Sequence, residues 1–308
     1  MDWTTVLALA TWAQLSALAL MLGAGVQHLL AVARLRLGSL DRAWVDARVA
    51  RLLAAGGLTA AVAGYAGALA MLMDVTETST LPTLSDAEAF FLETSFGPEW
   101  IVRLMLLTIL ALLSLALLQQ RQLVRRWSAG FAGMAAVLLM STAMSGHPMA
   151  EQGWQKLVAI ASTTAHLLAA GVWIGGLPVL LLVLSAARSR SDAAPAHAVL
   201  ERFSGLGLVA VAALIATGIL NAMLRLGRPQ DLLTSDYGRL LLAKGVLLAA
   251  MLVLAALNRF LWMPRLATSA RASDNDLLSL GRSIAAELGL GILALGAAAW
   301  LGTEAPPM

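Results

Sequence analysis

The 308-residue chain contains no cysteine, which excludes a disulfide framework, a thiolate metal centre and an iron–sulfur cluster. Charge is scarce as well. Asp, Glu, Lys and Arg together make up 13% of the residues, about half the share usual in soluble domains. No Walker A loop, dinucleotide-binding glycine fingerprint, HExxH or GxSxG motif occurs, so neither nucleotide-driven transport by this chain alone nor a familiar hydrolase chemistry is indicated. The start of the chain has Asp2 and no Lys or Arg before its first apolar run. That makes a poor secretory signal, and the first segment is expected to be kept as a membrane span.

What is present is apolar. Hydrophobic residues account for 59% of the chain, in recurring runs of about 20 residues, each long enough to cross a hydrocarbon core of about 30 Å. The pattern predicts an all-α polytopic membrane protein with eight transmembrane helices at residues 4–31, 50–73, 99–119, 128–146, 156–185, 203–224, 237–261 and 279–301. No length remains for a soluble domain, so 1–308 forms a single membrane domain. The formal charge of +3 does not indicate nucleic acid. Arginines concentrate in alternate loops, at Arg34, Arg36, Arg42, Arg48 and Arg51, at Arg121, Arg125 and Arg126, at Arg188, Arg190 and Arg202, and at Arg259, Arg265, Arg271 and Arg282. The other loops hold most of the acids, including Asp74, Glu77, Asp86, Glu88, Glu93 and Glu99. By the positive-inside rule the basic loops are cytoplasmic, and both termini are expected outside. Most tryptophans fall near predicted helix ends, as interfacial rings do. Trp12 and Trp173 lie well inside spans instead.

The chain also repeats itself weakly. Phe96-Gly97 followed by Arg103 opens the third span, and Tyr237-Gly238 followed by Lys244 opens the seventh. Laying Gln14 on His166 also matches Ala17 with Ala169 and Gly23 with Gly175. Two parallel four-helix halves are therefore expected. Spans one to three lie in residues 1–126, span four follows at 128–146, and the second half runs over 156–301, related to the first by an axis along the membrane normal.

Polar groups inside a bilayer are costly and mark function. His166 sits near mid-membrane, His28 towards the basic end of the first span, and Glu287 inside the eighth. Arg103 and Lys244 lie near the outer face, where they are expected to snorkel to headgroups. Met140, Met144 and His147 are spaced i, i+4 and i+7, so a helix would stack them on one face, directed into the protein. Pro148 would stop that helix and let Met149 fold over its end. Thioethers with an imidazole are soft donors that suit Cu(I) far better than Mg²⁺ or Ca²⁺. Methionine also fills gaps in apolar cores, which is the plain structural alternative.

Further residues carry a family likeness. Ser145-Gly146-His147-Pro148, the run from His166 to Leu177 that includes Gly171, Trp173, Gly175 and Gly176, Phe203-Ser204, Thr217-Gly218-Ile219-Leu220-Asn221, Tyr237-Gly238 through Lys244, and Asn258-Arg259 all recur in order. The chain resembles the copper resistance protein D family of bacterial inner-membrane proteins, most clearly over residues 140–305. Over the first half the likeness rests on Thr94-Ser95-Phe96-Gly97, Trp100 and Arg103. The resemblance implies an eight-helix protein that handles copper, with His147 and His166 as the positions tied to metal. It also implies a separate periplasmic copper-binding partner of the copper resistance protein C type, since no such domain is fused to this chain.

Together these features lead to an expectation of a non-enzymatic copper transporter of the bacterial inner membrane. Copper, as Cu(I) rather than Cu(II), would be received by His147, Met140, Met144 and Met149 and passed to His166, with Glu287 and His28 as relay or coupling groups. The relay requires spans one, four, five and eight to converge. The alternatives are a b-type haem protein or haem-linked oxidoreductase with His28 and His166 as axial ligands, and a non-transporting membrane subunit that senses or docks a copper carrier. None of these readings involves nucleic acid or a nucleotide.

Overall fold

A computed structural model of the chain describes residues 2–32, 42–76, 82–94, 96–144, 153–190, 194–268 and 274–307. The described residues fold into helices, and eight of these are long and apolar enough to cross a membrane. In hydrocarbon an unpaired backbone group costs several kcal/mol, so each apolar run closes its hydrogen bonds on itself. The membrane helices in chain order begin with α1 (Trp3–Gln27), which continues through a π-helical turn to Val32. Next come α2 (Arg42–Thr76), a short interfacial α3 (Leu84–Glu88), α4 (Gly97–Gln119) and α5 (Val124–Ala143). The second half begins with α6 (Gly153–Arg190) and α7 (Ala194–Arg225). A one-turn α8 (Asp231–Thr234) leads into α9 (Asp236–Leu257), which continues through a π-helical turn to α10 (Met263–Thr268), and α11 (Asp274–Leu301) closes the chain. Eight crossings place both termini at one end of the bundle, called the terminal face below.

Polar side chains set several of the helix starts. Asp2 accepts from the Thr4 amide at the start of α1, and Ser235 accepts from the Gly238 amide at the start of α9, as N-caps do. Thr83 and Asp86 form a reciprocal capping box on α3. The Thr83 hydroxyl and amide hold the exposed Asp86 carboxyl below the usual carboxylate range. The predicted spans agree with the observed ones near the terminal face. At the basic face α2, α6, α7 and α11 run one or more turns past the apolar segment, because charged residues there continue the helix in water.

The two central helices are α1 and α6. Within their most apolar windows 72% and 61% of residues are buried, against 17% for α7 and 6% for α9. Helix α1 packs on α2, α5, α6 and α11, and α6 packs on α1, α5, α7 and α11. The expected convergence of spans one, four, five and eight on a common centre is therefore present, although α5 and α11 flank it from opposite sides. At the α1–α6 crossing there is no room for side chains. A Cβ on Gly23 would overlap the backbone of Gly175 and Gly176 and the Gly171 carbonyl, and one on Gly175 would overlap the Ala19 carbonyl and the Gly23 amide. Gly23 meets its own counterpart in the repeat register, and the Gly175–Ala19 contact mirrors Gly23–Gly171. The closest approach in the bundle therefore joins positions that the sequence register also pairs.

A second pair of glycines behaves alike. A side chain on Gly97 would overlap the backbone of Phe91, and one on Gly238 would overlap Asp231 and Leu232. Each glycine thus lets a long helix start hard against the short segment before it. The halves differ in their outer helices. In the first half α4 lies along α2, whereas in the second α9 lies along α11 and makes little contact with α7. Trp12 and Trp173, the two tryptophans away from the interfaces, both point at α11. The indole N–H of Trp12 donates to the Ile292 carbonyl at 2.8 Å, and that of Trp173 donates to Glu287 Oε1 at 2.8 Å.

Arg103 does not reach for headgroups. It is 4% exposed, it donates to Glu99 at 2.7 Å and to the Ser141 carbonyl at 2.6 Å, and it lies over the Trp100 ring. It therefore fastens α4 to the last turn of α5, where cations complement the helix dipole.

The glycine contact leads to a direct expectation. Gly175→Val should force α1 and α6 apart and destabilise the detergent-solubilised protein by about 3 kcal/mol or prevent folding. Gly205→Ala, with nothing within 4 Å, should be neutral or stabilising by up to about 1 kcal/mol. Thermal unfolding of both variants checks this, and equal melting temperatures would contradict a close-packed crossing.

Candidate metal site

Met140 and Met144 do not face inward as their spacing suggests. Helix α5 ends at Ala143, Met144 is already its C-cap, and His147 and Met149 lie outside the described residues. Met140 and Met144 are 44% and 49% exposed. The face of α5 directed into the bundle carries Ser128, Phe131, Ala135, Leu138 and Leu139 instead. The packing is physical in origin: α5 presents its small and branched residues to α1 and α6, which leaves the thioethers on the outer side near the terminal face.

His166 lies about 20 Å along α6 from its start and is half-buried against α7. Its Nδ1 is 2.9 Å from Thr217 Oγ1, and that hydroxyl donates to the Ala213 carbonyl at 2.6 Å. A hydroxyl has one proton. With that proton on Ala213, Thr217 accepts from the imidazole, so His166 carries its proton on Nδ1 and keeps a lone pair on Nε2. A neutral imidazole with one nitrogen held by a hydrogen bond is the form that binds metals. Gly218 leaves the ring room to lie on α7. One turn nearer the terminal face Arg225 donates to Thr163 at 3.0 Å and Thr163 to Asn221 at 3.4 Å. Lys244 on α9 has no hydrogen bond or ion pair among the described residues, and with Arg225 it acts on His166 electrostatically.

His28 is the contrasting case. It is fully buried at the opposite end of α1. Its Nδ1 is 2.8 Å from Ser128 Oγ, which donates to the Val124 carbonyl, and its Nε2 is 2.9 Å from Asp46 Oδ1. Both ring nitrogens are committed to protein oxygens, so His28 has none left for iron or copper. Paired axial ligation of a haem by His28 and His166 does not fit this geometry. The His28–Asp46 pair ties α1 to α2 instead.

Glu287 faces the interior, 2% exposed, and both its oxygens are used: Oε1 accepts from Trp173 and Oε2 from Asn258 Nδ2 at 2.9 Å. One carboxylate thus links α6, α11 and the end of α9. Among the described residues no three His, Asp or Glu side chains converge as a metal cluster, and no side chain bonds His166 Nε2. Thr217, Ser128, Asp46, Thr163, Arg225 and Asn258 were not singled out as site residues by sequence reasoning that ranked ionisable groups by depth. A rule that also weighed Ser, Thr and Asn within apolar runs would have found Thr217, Ser128 and Asn258.

The carboxylate network leads to a paired expectation. Glu287→Gln should fold within about 1 kcal/mol of the parent, because the Asn258 amide can turn its unpaired Oδ1 towards the new amide. Glu287→Leu strands two buried donors and should cost about 2–4 kcal/mol. Thermal unfolding separates the two, and equal losses would show that the hydrogen bonds do not hold the three helices.

Comparison with known proteins agrees with this architecture. Residues 1–157 match the family model described as copper resistance protein D-like, N-terminal domain, and residues 197–301 match copper resistance protein D. Copper resistance protein D of Pseudomonas syringae pv. tomato is 29% identical over 236 residues, covering 74% of each chain. Inner membrane protein YebZ of Escherichia coli is 36% identical over 181 residues, 57% of this chain and 58% of that one. Copper transport protein CutJ of Bacillus subtilis is 29% identical over 218 residues, 70% of this chain and 38% of that one. No solved structure matches the chain. A family model spanning the first half, a second covering most of the remainder and eight membrane helices make this chain a member of the copper resistance protein D family.

Proposed function

We propose that the chain carries copper across the bacterial inner membrane, with His166 Nε2 as the intramembrane ligand. The observation that supports this is the Ala213–Thr217–His166 chain of hydrogen bonds, which presents an unprotonated imidazole nitrogen on a half-buried helix face. Copper on one imidazole exchanges readily, as a transport site requires. The cations Arg225 and Lys244 favour Cu(I) over Cu(II), because repulsion scales with ion charge. They also weaken binding enough for release.

The exposed thioethers of Met140 and Met144, with His147 and Met149, present soft donors at the terminal face to an incoming carrier rather than lining an interior channel. A separate copper-binding protein of the copper resistance protein C type is the natural donor there, and the acidic interfacial residues Asp86, Glu88 and Glu93 favour a cationic approach. The arginine-rich face is cytoplasmic and the terminal face periplasmic, so movement is inward. Glu287 couples or balances charge deeper in the bundle, and His28–Asp46 is structural. The two halves act as parallel repeats about the α1–α6 crossing, and transfer proceeds by ligand exchange without catalysis.

The test is Cu(I) uptake into proteoliposomes loaded with a Cu(I) chelator. His166→Ala should reduce uptake at least tenfold with the melting temperature unchanged. Thr217→Val, which frees Nδ1 from its acceptor, should reduce it less. Lys244→Met should tighten Cu(I) binding several-fold in competition with a chelator. Full uptake by His166→Ala would remove His166 from the path, and a Soret band in the purified protein would replace the copper reading with a haem one.

A further inference from the structure

At the face opposite the termini a cavity of about 630 Å³ opens between α6 and α11. Its walls are of two kinds. Leu181 and Leu184 from α6 and Leu277 from α11 are apolar, while Arg188, Ser185, Arg282 and Asp274 are polar or charged. Arg188 and Arg282 are exposed, and among the described residues neither has a hydrogen-bond or ion-pair partner. Other arginines of the same face bond to protein: Arg202 donates to the Leu30 carbonyl and Arg259 to the Ser204 carbonyl. Two guanidiniums from two helices lining one cavity with leucine side chains match an anionic headgroup with acyl chains. Asp274 narrows the choice. Two arginines and one carboxylate leave a single positive charge, which complements one phosphodiester, while the carboxylate can accept from a headgroup hydroxyl.

We propose that this cavity binds the phosphodiester of an anionic phospholipid with a hydroxylated headgroup, of the phosphatidylglycerol kind. Arg188 and Arg282 clasp the phosphate, Ser185 donates to it, and an acyl chain runs inward along Leu184 and Leu181 of α6. The bound lipid then bridges the central helix α6 to α11 below Glu287, and so ties the packing of the second half to membrane composition.

Native mass spectrometry of the full chain, delipidated in detergent and titrated with phosphatidylglycerol, phosphatidylcholine or inorganic phosphate, tests this. Phosphatidylglycerol should be retained at least fivefold more by the parent than by Arg188→Gln/Arg282→Gln, with phosphatidylcholine retained equally weakly by both. Arg125→Gln/Arg126→Gln removes two exposed arginines of the same face outside the cavity and should match the parent. Gly281→Leu keeps both guanidiniums, places a side chain where nothing lies within 4 Å and should also lose the lipid by occupying the cavity. Equal retention by the Arg188/Arg282 variant overturns the site. Equal loss in the Arg125/Arg126 variant shows attraction by the whole face and also overturns it. Displacement by millimolar inorganic phosphate overturns the lipid in favour of free phosphate. If the double variant does not elute as a folded species, Arg188→Gln and Arg282→Gln singly give the same reading.

Discussion

Everything in this bundle is arranged around the backbone contact between α1 and α6. Gly23 and Gly175 bring two helices closer than any side chain permits, and the contact is symmetric in the repeat register. In lipid there is no hydrophobic force between apolar helices, so close van der Waals packing of small residues is what associates them. With α1 and α6 fixed, α2 and α5 wrap the first, α7 and α11 wrap the second, and α4 and α9 attach outside. The two internal tryptophans then lock α11 to both central helices through indole N–H donors that would otherwise be stranded in hydrocarbon.

The chemistry of the interior follows from where hydroxyl protons go. Thr217 and Ser128 each donate back to a carbonyl one turn earlier and each accept from a histidine Nδ1. The two histidines are therefore oriented by the same device and differ at their other nitrogen. Asp46 occupies that of His28, whereas that of His166 is left open beside two cations. His28 is consequently a structural tie, whereas His166 keeps one ring nitrogen without a side-chain partner, a difference that residue type alone does not reveal.

The halves share a plan but not a surface. In the first, α4 closes over α2 and Arg103 seals the end of α5 with Glu99. In the second, α9 swings to α11 and leaves α7 and the face beneath His166 less enclosed, with Lys244 in place of Arg103 and without its acidic partner four residues before. The first half is thus more closed, and the second, which carries His166, is more open.

The sequence by itself determined the number of crossings, the helical class and the alternation of basic and acidic loops, because each rests on hydrophobic length and spacing that a bilayer enforces locally. It also marked Glu287 and His166 as residues that must have a partner or a purpose. It did not determine which way side chains face at the end of α5, where helical spacing suggested an inward stack of Met140, Met144 and His147. The inward face there carries Phe131, Ala135, Leu138 and Leu139, packed on α1 and α6, and the helix ended at Ala143. Nor did it decide the partners of His28, Glu287 and Arg103, which come from helices distant in sequence. Those assignments belong to tertiary structure because hydrogen-bond satisfaction in a membrane is settled between helices, after each has formed alone.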